Sequence, residues 1–194
     1  MASTIALDTT LTSLSGEQRP LHEWVTTFHL ASVVLDPYTN ESSWILPTAV
    51  RVLEAFRGAD VRVNLVVTCS PDEAREFLGP LVDQFMVFCD ADRSFVRGIG
   101  VATLPALVFV QGNGTVTAAE GWNPAEWRRV AKAIAANTAF NGFPVLGSIL
   151  ARDGYLPKAL HTRGDRLAYS NGIVILALVA VGLVTLFSAS YEQP

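Results

Sequence analysis

The sequence has few of the residues from which redox and metal centres are built. It contains two cysteines, Cys69 and Cys89, with nineteen residues between them. Neither belongs to a Cys-x-x-Cys or to a metal-ligand spacing, so zinc is disfavoured and no metal or cofactor is predicted. The three histidines, His22, His29 and His161, stand apart from one another, as structural or solvated residues do rather than catalytic bases. Lys and Arg total only 14 and form no cluster, which argues against an electrostatic nucleic-acid surface. The first twenty residues, "MASTIALDTTLTSLSGEQRP", lack the basic start and apolar run of a secretory signal. Residues before 137 are therefore expected to stay in the cytosol with reduced thiols.

Half of the residues are apolar, enough for a substantial core, and 194 residues suit one ordinary domain with something added. Charge divides the chain. Residues 1–137 hold 15 acidic against 10 basic side chains, and residues 138–194 hold 3 against 4. From residue 31 strand and helix signals alternate, the pattern of an α/β layer fold. "ASVVLD", "VRVNLVV", "QFMVFCD" and "ALVFV" read as buried strands. "QGNG" then turns the chain into "TVTAA", a hairpin signal. "SPDE" offers Ser70 as a helix cap, Pro71 at the first helical position and Glu73 to complete a capping box; "NPAE" repeats this with Asn123 and Glu126. Trp127, Val130, Ala131 and Ile134 then share one helix face, as do Leu46, Ala49, Val50, Leu53 and Phe56 upstream. Residues 1–19 are expected to be a flexible lead-in, and the globular domain to span 20–136.

Between the first strand and its helix lies "DPYTNESSWILP". A helix N-terminus favours an anion, a thiolate or a polar ligand, while Ser42 or Ser43 at that place also reads as a plain helix cap. Cys69 and Cys89 each follow a strand at the end where α/β folds place ligands, so both a reactive thiol and a small buried hydrophobe remain open for them.

Beyond residue 136 the character changes. Residues 137–171 are mixed and partly amphipathic, residues 172–189, "GIVILALVAVGLVTLFSA", are uncharged over eighteen positions, and 190–194 form a short end. That run is near the lower limit for crossing a bilayer and has no polar face. Lys158, Arg163 and Arg166 precede it and no Lys or Arg follows, which orients the preceding domain toward the cytoplasm, on the inner face of the plasma membrane.

The order of elements, with "VRGIGVATLPALVFVQGNGTV", resembles the thioredoxin-like fold in the variant found in membrane-tethered thiol oxidoreductases and peroxiredoxins. The implied architecture is a three-layer α/β sandwich with a mixed central sheet, followed by a helical tail with one transmembrane-like helix. The resemblance makes Pro105 the cis-proline of the family. Counting back from Pro47 to the family's Trp-Cys-x-x-Cys-Lys site aligns Ser42 with its second cysteine, Thr39 with its first and Tyr38 with its tryptophan. Hydroxyls there cannot perform dithiol exchange, which needs a thiolate and a resolving thiol. What the resemblance implies is a non-catalytic groove for a peptide or protein partner, lined by Tyr38, Thr39, Asn40, Ser42 and Trp44 beside Thr103, Leu104 and Pro105. A vestige without a ligand is the other reading of the same residues. A redox role is left to Cys69 and Cys89. The tail, with "NTAF", "ARDGYLP" and "GDRLAYSNG" in order, resembles part of the amino-acid/polyamine/organocation permeases, in a branch that includes potassium importers. One span and part of another cannot build a transport pathway contributed by two repeats. Such a piece would function in transport only with partner chains.

Overall fold

The computed structural model describes residues 2–26, 28–57 and 61–137. Chain contacts divide the molecule after Ala136, and the first unit holds all of the strands below. The permease-like stretch and the apolar run at 172–189 lie outside the described residues. Among the described residues no helix is long and apolar enough to cross a membrane.

Eight strands form one sheet: β1 Ala2–Thr4, β2 Thr10–Ser13, β3 Gln18–Pro20, β4 His29–Leu35, β5 Val61–Val67, β6 Met86–Cys89, β7 Ala106–Val110 and β8 Thr115–Glu120. Their order across the sheet is β1-β8-β7-β4-β5-β6-β2-β3. The centre, β4 with β5 and β5 with β6, is parallel, and the flanking pairs are antiparallel. A mixed sheet results because helices return the chain between the parallel strands while the "QGNG" turn joins β7 to β8 directly. The helices are α1 Leu21–Trp24, α2 Asn40–Ala55, α3 Pro71–Leu78, α4 Ser94–Gly98 and α5 over residues 124–137.

The sheet is buried on both faces, which is why β4 and β7 read as unbroken apolar runs. On one face Ala31, Val33, Leu35, Leu65, Leu107 and Phe109 pack against Ile45, Ala49 and Leu53 of α2, Leu78 of α3 and Trp127, Val130 and Ile134 of α5. On the other, Leu30, Val34, Val66, Phe88 and Val108 meet Leu21, Phe95, Ile99 and the N-terminal Ile5 and Leu11. This is a three-layer, thioredoxin-like arrangement. On α2 the fully buried row is Ser42, Ile45, Ala49 and Leu53, while Leu46 and Val50 sit half-buried beside it.

Two expectations are corrected here. Residues 1–19 are not a loose lead-in: β1 pairs with β8, and β2 pairs with β6 as well as with β3. Ile5 and Leu11 are only 4% and 1% exposed, so burial of these side chains holds the segment in place. At the head of α5, Asn123 Oδ1 does accept the N–H groups of Ala125 and Glu126 at 3.0 and 3.4 Å. The reciprocal half of that box is not formed. Glu126 turns instead to Arg129 at 2.9 Å, an i, i+3 partner with opposite charge.

Candidate functional site

Strand β4 delivers Asp36 to its C-terminal end, and Asp36 organises everything that follows. Its N–H donates to Ser42 Oγ at 2.9 Å, and its carbonyl accepts the Thr39 hydroxyl at 2.9 Å and the Thr39 N–H at 3.1 Å. Its carboxylate accepts the Tyr38 N–H at 3.1 Å and pairs with Arg93. Arg93 reaches it from a left-handed backbone position at φ 58° just before α4. The Thr39 and Ser42 hydroxyls lie 2.9 Å apart.

Ser42 is therefore not the helix cap, and neither is Ser43. The helix starts at Asn40, Thr39 occupies the cap position, and no side chain caps the free N–H groups there. Ser42 falls in the first turn on the inward face, fully buried, because its hydroxyl satisfies the otherwise orphaned Asp36 N–H. At the two positions that the resemblance aligns with a dithiol, two hydroxyls close a bonding circuit with one backbone corner. A hydroxyl ionises too weakly to act as a thiolate does, and among the described residues no histidine is bonded to the pair to serve as a base. His29 Nδ1 instead accepts the Gly112 N–H at 2.9 Å, and His22 Nδ1 lies 3.2 Å from the Leu7 carbonyl.

Tyr38 is 69% exposed, and its hydroxyl donates to Glu73 Oε1 at 2.6 Å. Glu73 also closes the α3 capping box with Ser70. Bonds from the Ser70 hydroxyl, Tyr38 and the Ser70 N–H hold its carboxyl down at about 2, and the same Glu73 bond pushes Tyr38 up to about 12. The loop before α2 is thus tied to the head of α3.

The Leu104–Pro105 bond is cis, as the resemblance implies. The residues before it are less available than expected. Thr103 and Ala102 donate their N–H groups to Glu120 Oε2, both at 3.0 Å, and the Thr103 carbonyl accepts from Gly121 at 3.4 Å. The end of β8 has taken the hydrogen bonds that a peptide at Thr103 would need, which leaves Leu104 as the open backbone position. Trp44, 77% exposed, lines a depression of about 240 Å³ with Glu41, Ile45, Thr48 and Trp122, without Tyr38, Thr39 or Pro105. Trp122, half exposed and packed edge-on against Trp127 at 5.1 Å, escaped the sequence reading because it lies between a strand and a helix cap, outside any periodic pattern.

Cys69 and Cys89 are free and buried. They line one polar cleft of about 630 Å³ with Thr12, Ser70, Asp90 and Asp92. Burial pushes the Cys69 thiol up to about 12, with Cys89, Glu73 and Asp36 adding to it, and burial pushes Cys89 up to about 11 against the pull of Arg75. Both are protonated at neutral pH, the opposite of a poised nucleophile.

No family model matches the chain. The fold is shared with solved thiol oxidoreductases. MTB dsbF in its mixed oxidized and reduced forms aligns at TM-score 0.55 and 19% identity, over 67% of this chain and 95% of that one. A thiol:disulfide interchange protein DsbE from Chlorobium tepidum aligns at 0.57 and 19%, over 70% and 96%. Xanthomonas campestris Peroxiredoxin Q aligns at 0.55 and 16%, over 68% and 92%. A different kind of relative is the Potassium transporter KimA of Bacillus subtilis (strain 168), 48% identical over 60 residues. That match takes in 31% of this chain, and the chain spans about a tenth of the transporter's length.

Proposed function

We propose that the thioredoxin-like unit is a redox-silent interaction module, and that the segment at 172–189 holds it at the inner face of the membrane. The observation that carries this reading is the Thr39–Ser42 pair, whose hydroxyls sit 2.9 Å apart, at the positions that the sequence resemblance aligns with the family's dithiol. Both are committed to Asp36. What remains for recognition is the exposed aromatic side chains Tyr38, Trp44 and Trp122, together with the Leu104 backbone, which suit a peptide or protein partner. The competing redox reading through Cys69 or Cys89 is disfavoured by the raised pKa of both thiols. Transport by this chain alone is not proposed: the kinship with KimA extends over a tenth of that protein. Assignment of the tail to an amino-acid/polyamine/organocation-type permease rests on the motifs quoted above.

Reduction of insulin disulfides in dithiothreitol tests the module directly. The wild-type chain should match a Cys69→Ser, Cys89→Ser double variant. A cysteine-dependent excess would overturn the redox-silent reading. Placing sulfurs in the circuit by Thr39→Cys with Ser42→Cys should raise the rate above both, because the uncapped head of α2 stabilises a thiolate.

A further inference from the structure

Three depressions run together along α2 and α5. The first holds Trp44, Thr48 and Trp122. The second, about 380 Å³, shares Thr48 and Trp122 with it and adds Arg51 and Arg128. The third shares Arg128 and reaches Lys132. One continuous surface therefore carries two exposed indoles at one end and three exposed cations at the other.

The cations are not neutralised at home. Arg129 is bonded to Glu126, but among the described residues Arg51, Arg128 and Lys132 have no carboxylate within ion-pair distance. Glu41 is the acid at the far, tryptophan end of the surface. A basic face is notable on a unit whose residues 1–137 carry 15 acids against 10 bases, since the rest of its surface would repel an anionic partner and leave this face to meet it. Indoles with an apolar body and an outward N–H prefer the headgroup layer of a bilayer. Lys and Arg within a Debye length of anionic lipid add attraction that salt weakens. The element carrying Arg128 and Lys132 is also the one that leads into residues 138–194, where the eighteen-residue apolar run lies.

We propose that the surface from Trp44 through Trp122 to Arg51, Arg128 and Lys132 docks on an anionic lipid bilayer, laying the module against the membrane. The proposal extends the membrane-held reading above, yet is separable from it. Insertion of an apolar run is indifferent to headgroup charge, whereas docking through this face depends on it.

The test uses the full chain with phosphatidylcholine vesicles, with and without phosphatidylserine, carrying bromine-labelled acyl chains that quench nearby tryptophan. Phosphatidylserine should strengthen binding and deepen quenching, both reversed by salt. Arg51→Gln, Arg128→Gln and Lys132→Gln together should abolish the phosphatidylserine dependence, a loss on the order of 100-fold at low salt. Exchange of the same three cations among Lys and Arg should keep it, which separates lost charge from lost fold. In Trp44→Phe, Trp122→Phe the added quenching should fall to the small part given by the buried Trp127, which packs beside Trp122. Binding to both vesicle types that is equal in the wild type and the triple variant would overturn the docking face while leaving the tether intact. Binding only to phosphatidylserine vesicles, lost in the triple variant, would support the face while removing the tether. Release of the vesicles by polyglutamate without restoration by fresh phosphatidylserine would assign the face to an acidic protein partner and overturn the proposal.

Discussion

At the level of single residues, the two thiols are buried and two hydroxyls stand at the head of α2. Cys69 and Cys89 sit inside, where burial raises their pKa from 9.0 to about 12 and about 11. A group held protonated more firmly in the folded state contributes its stability fully below the unfolded value and loses it as pH climbs toward the folded one. Stability should therefore fall between pH 9 and about 11–12, and fall less steeply in a Cys69→Ala, Cys89→Ala variant. Calorimetric melts of the two proteins across that range check the slope, and parallel curves would remove the assigned cause. The hydroxyls at positions 39 and 42 were legible in the sequence as the residues that the resemblance aligns with a dithiol, counted back from Pro47. The partners of those hydroxyls were not. Asp36 and Arg93 lie 57 positions apart, and a salt bridge between a strand end and a left-handed loop residue leaves no periodic trace. Glu120, which takes the Thr103 and Ala102 N–H groups, lies 17 and 18 positions from them, again outside any helical or strand period.

Among the elements, those that were readable share a local cause. Ser70 with Glu73 closes its box as the tetrapeptide predicts, and β4, β5, β6 and β7 are apolar runs long enough to see. Strands β1 and β3 were not readable, because each is three residues long, largely polar and at an edge of the sheet, where short polar strands resist edge-to-edge pairing and show no alternation. What seats β1 is an interaction with the distant "QGNG" turn. Ile5 N–H donates to the Gly114 carbonyl at 2.9 Å, and a Cβ on Gly114 would stand 2.7 Å from the Ile5 carbonyl oxygen. Gly114 also has φ +82°, which costs a residue with a side chain about 1–2 kcal/mol. Gly114→Ala should therefore lower Tm by several degrees and increase amide exchange in residues 2–5. Gly16→Ala, at φ +83° with nothing within 4 Å of its Cβ, is the control that suffers the backbone cost alone. Equal losses in the two variants would mean that the N-terminal strand does not depend on this contact.

The extent of the molecule that must fold together is set by where its buried side chains come from. Trp127, Val130 and Ile134, each no more than 3% exposed, close one face of the sheet from α5, so both layers of the sandwich are supplied by residues before 137. Truncation after Ala136 should leave a soluble monomer with one cooperative unfolding transition. The opposite truncation should not be tolerated, although the sequence pattern alone marks residues 1–19 as a flexible lead-in. Its loss would remove Ile5 and Leu11 from the second core, at roughly 1.5–3 kcal/mol for each buried side chain. It would also uncover β8 on one side and β6 on the other, presenting two open edges to other chains. Against a total stability of about 5–15 kcal/mol for an ordinary domain, that combination is large enough to unfold the fragment or drive it to aggregate. Sedimentation of the full chain and of fragments 1–136 and 20–136 after lysis, followed by thermal melts of what stays soluble, separates the cases. The full chain should pellet with membranes, 1–136 should melt cooperatively from the supernatant, and 20–136 should be insoluble or give no transition. A 1–136 fragment that fails to fold beside a soluble full chain would show that residues after 136 supply core to the domain, and the membrane-held reading would fall with that result.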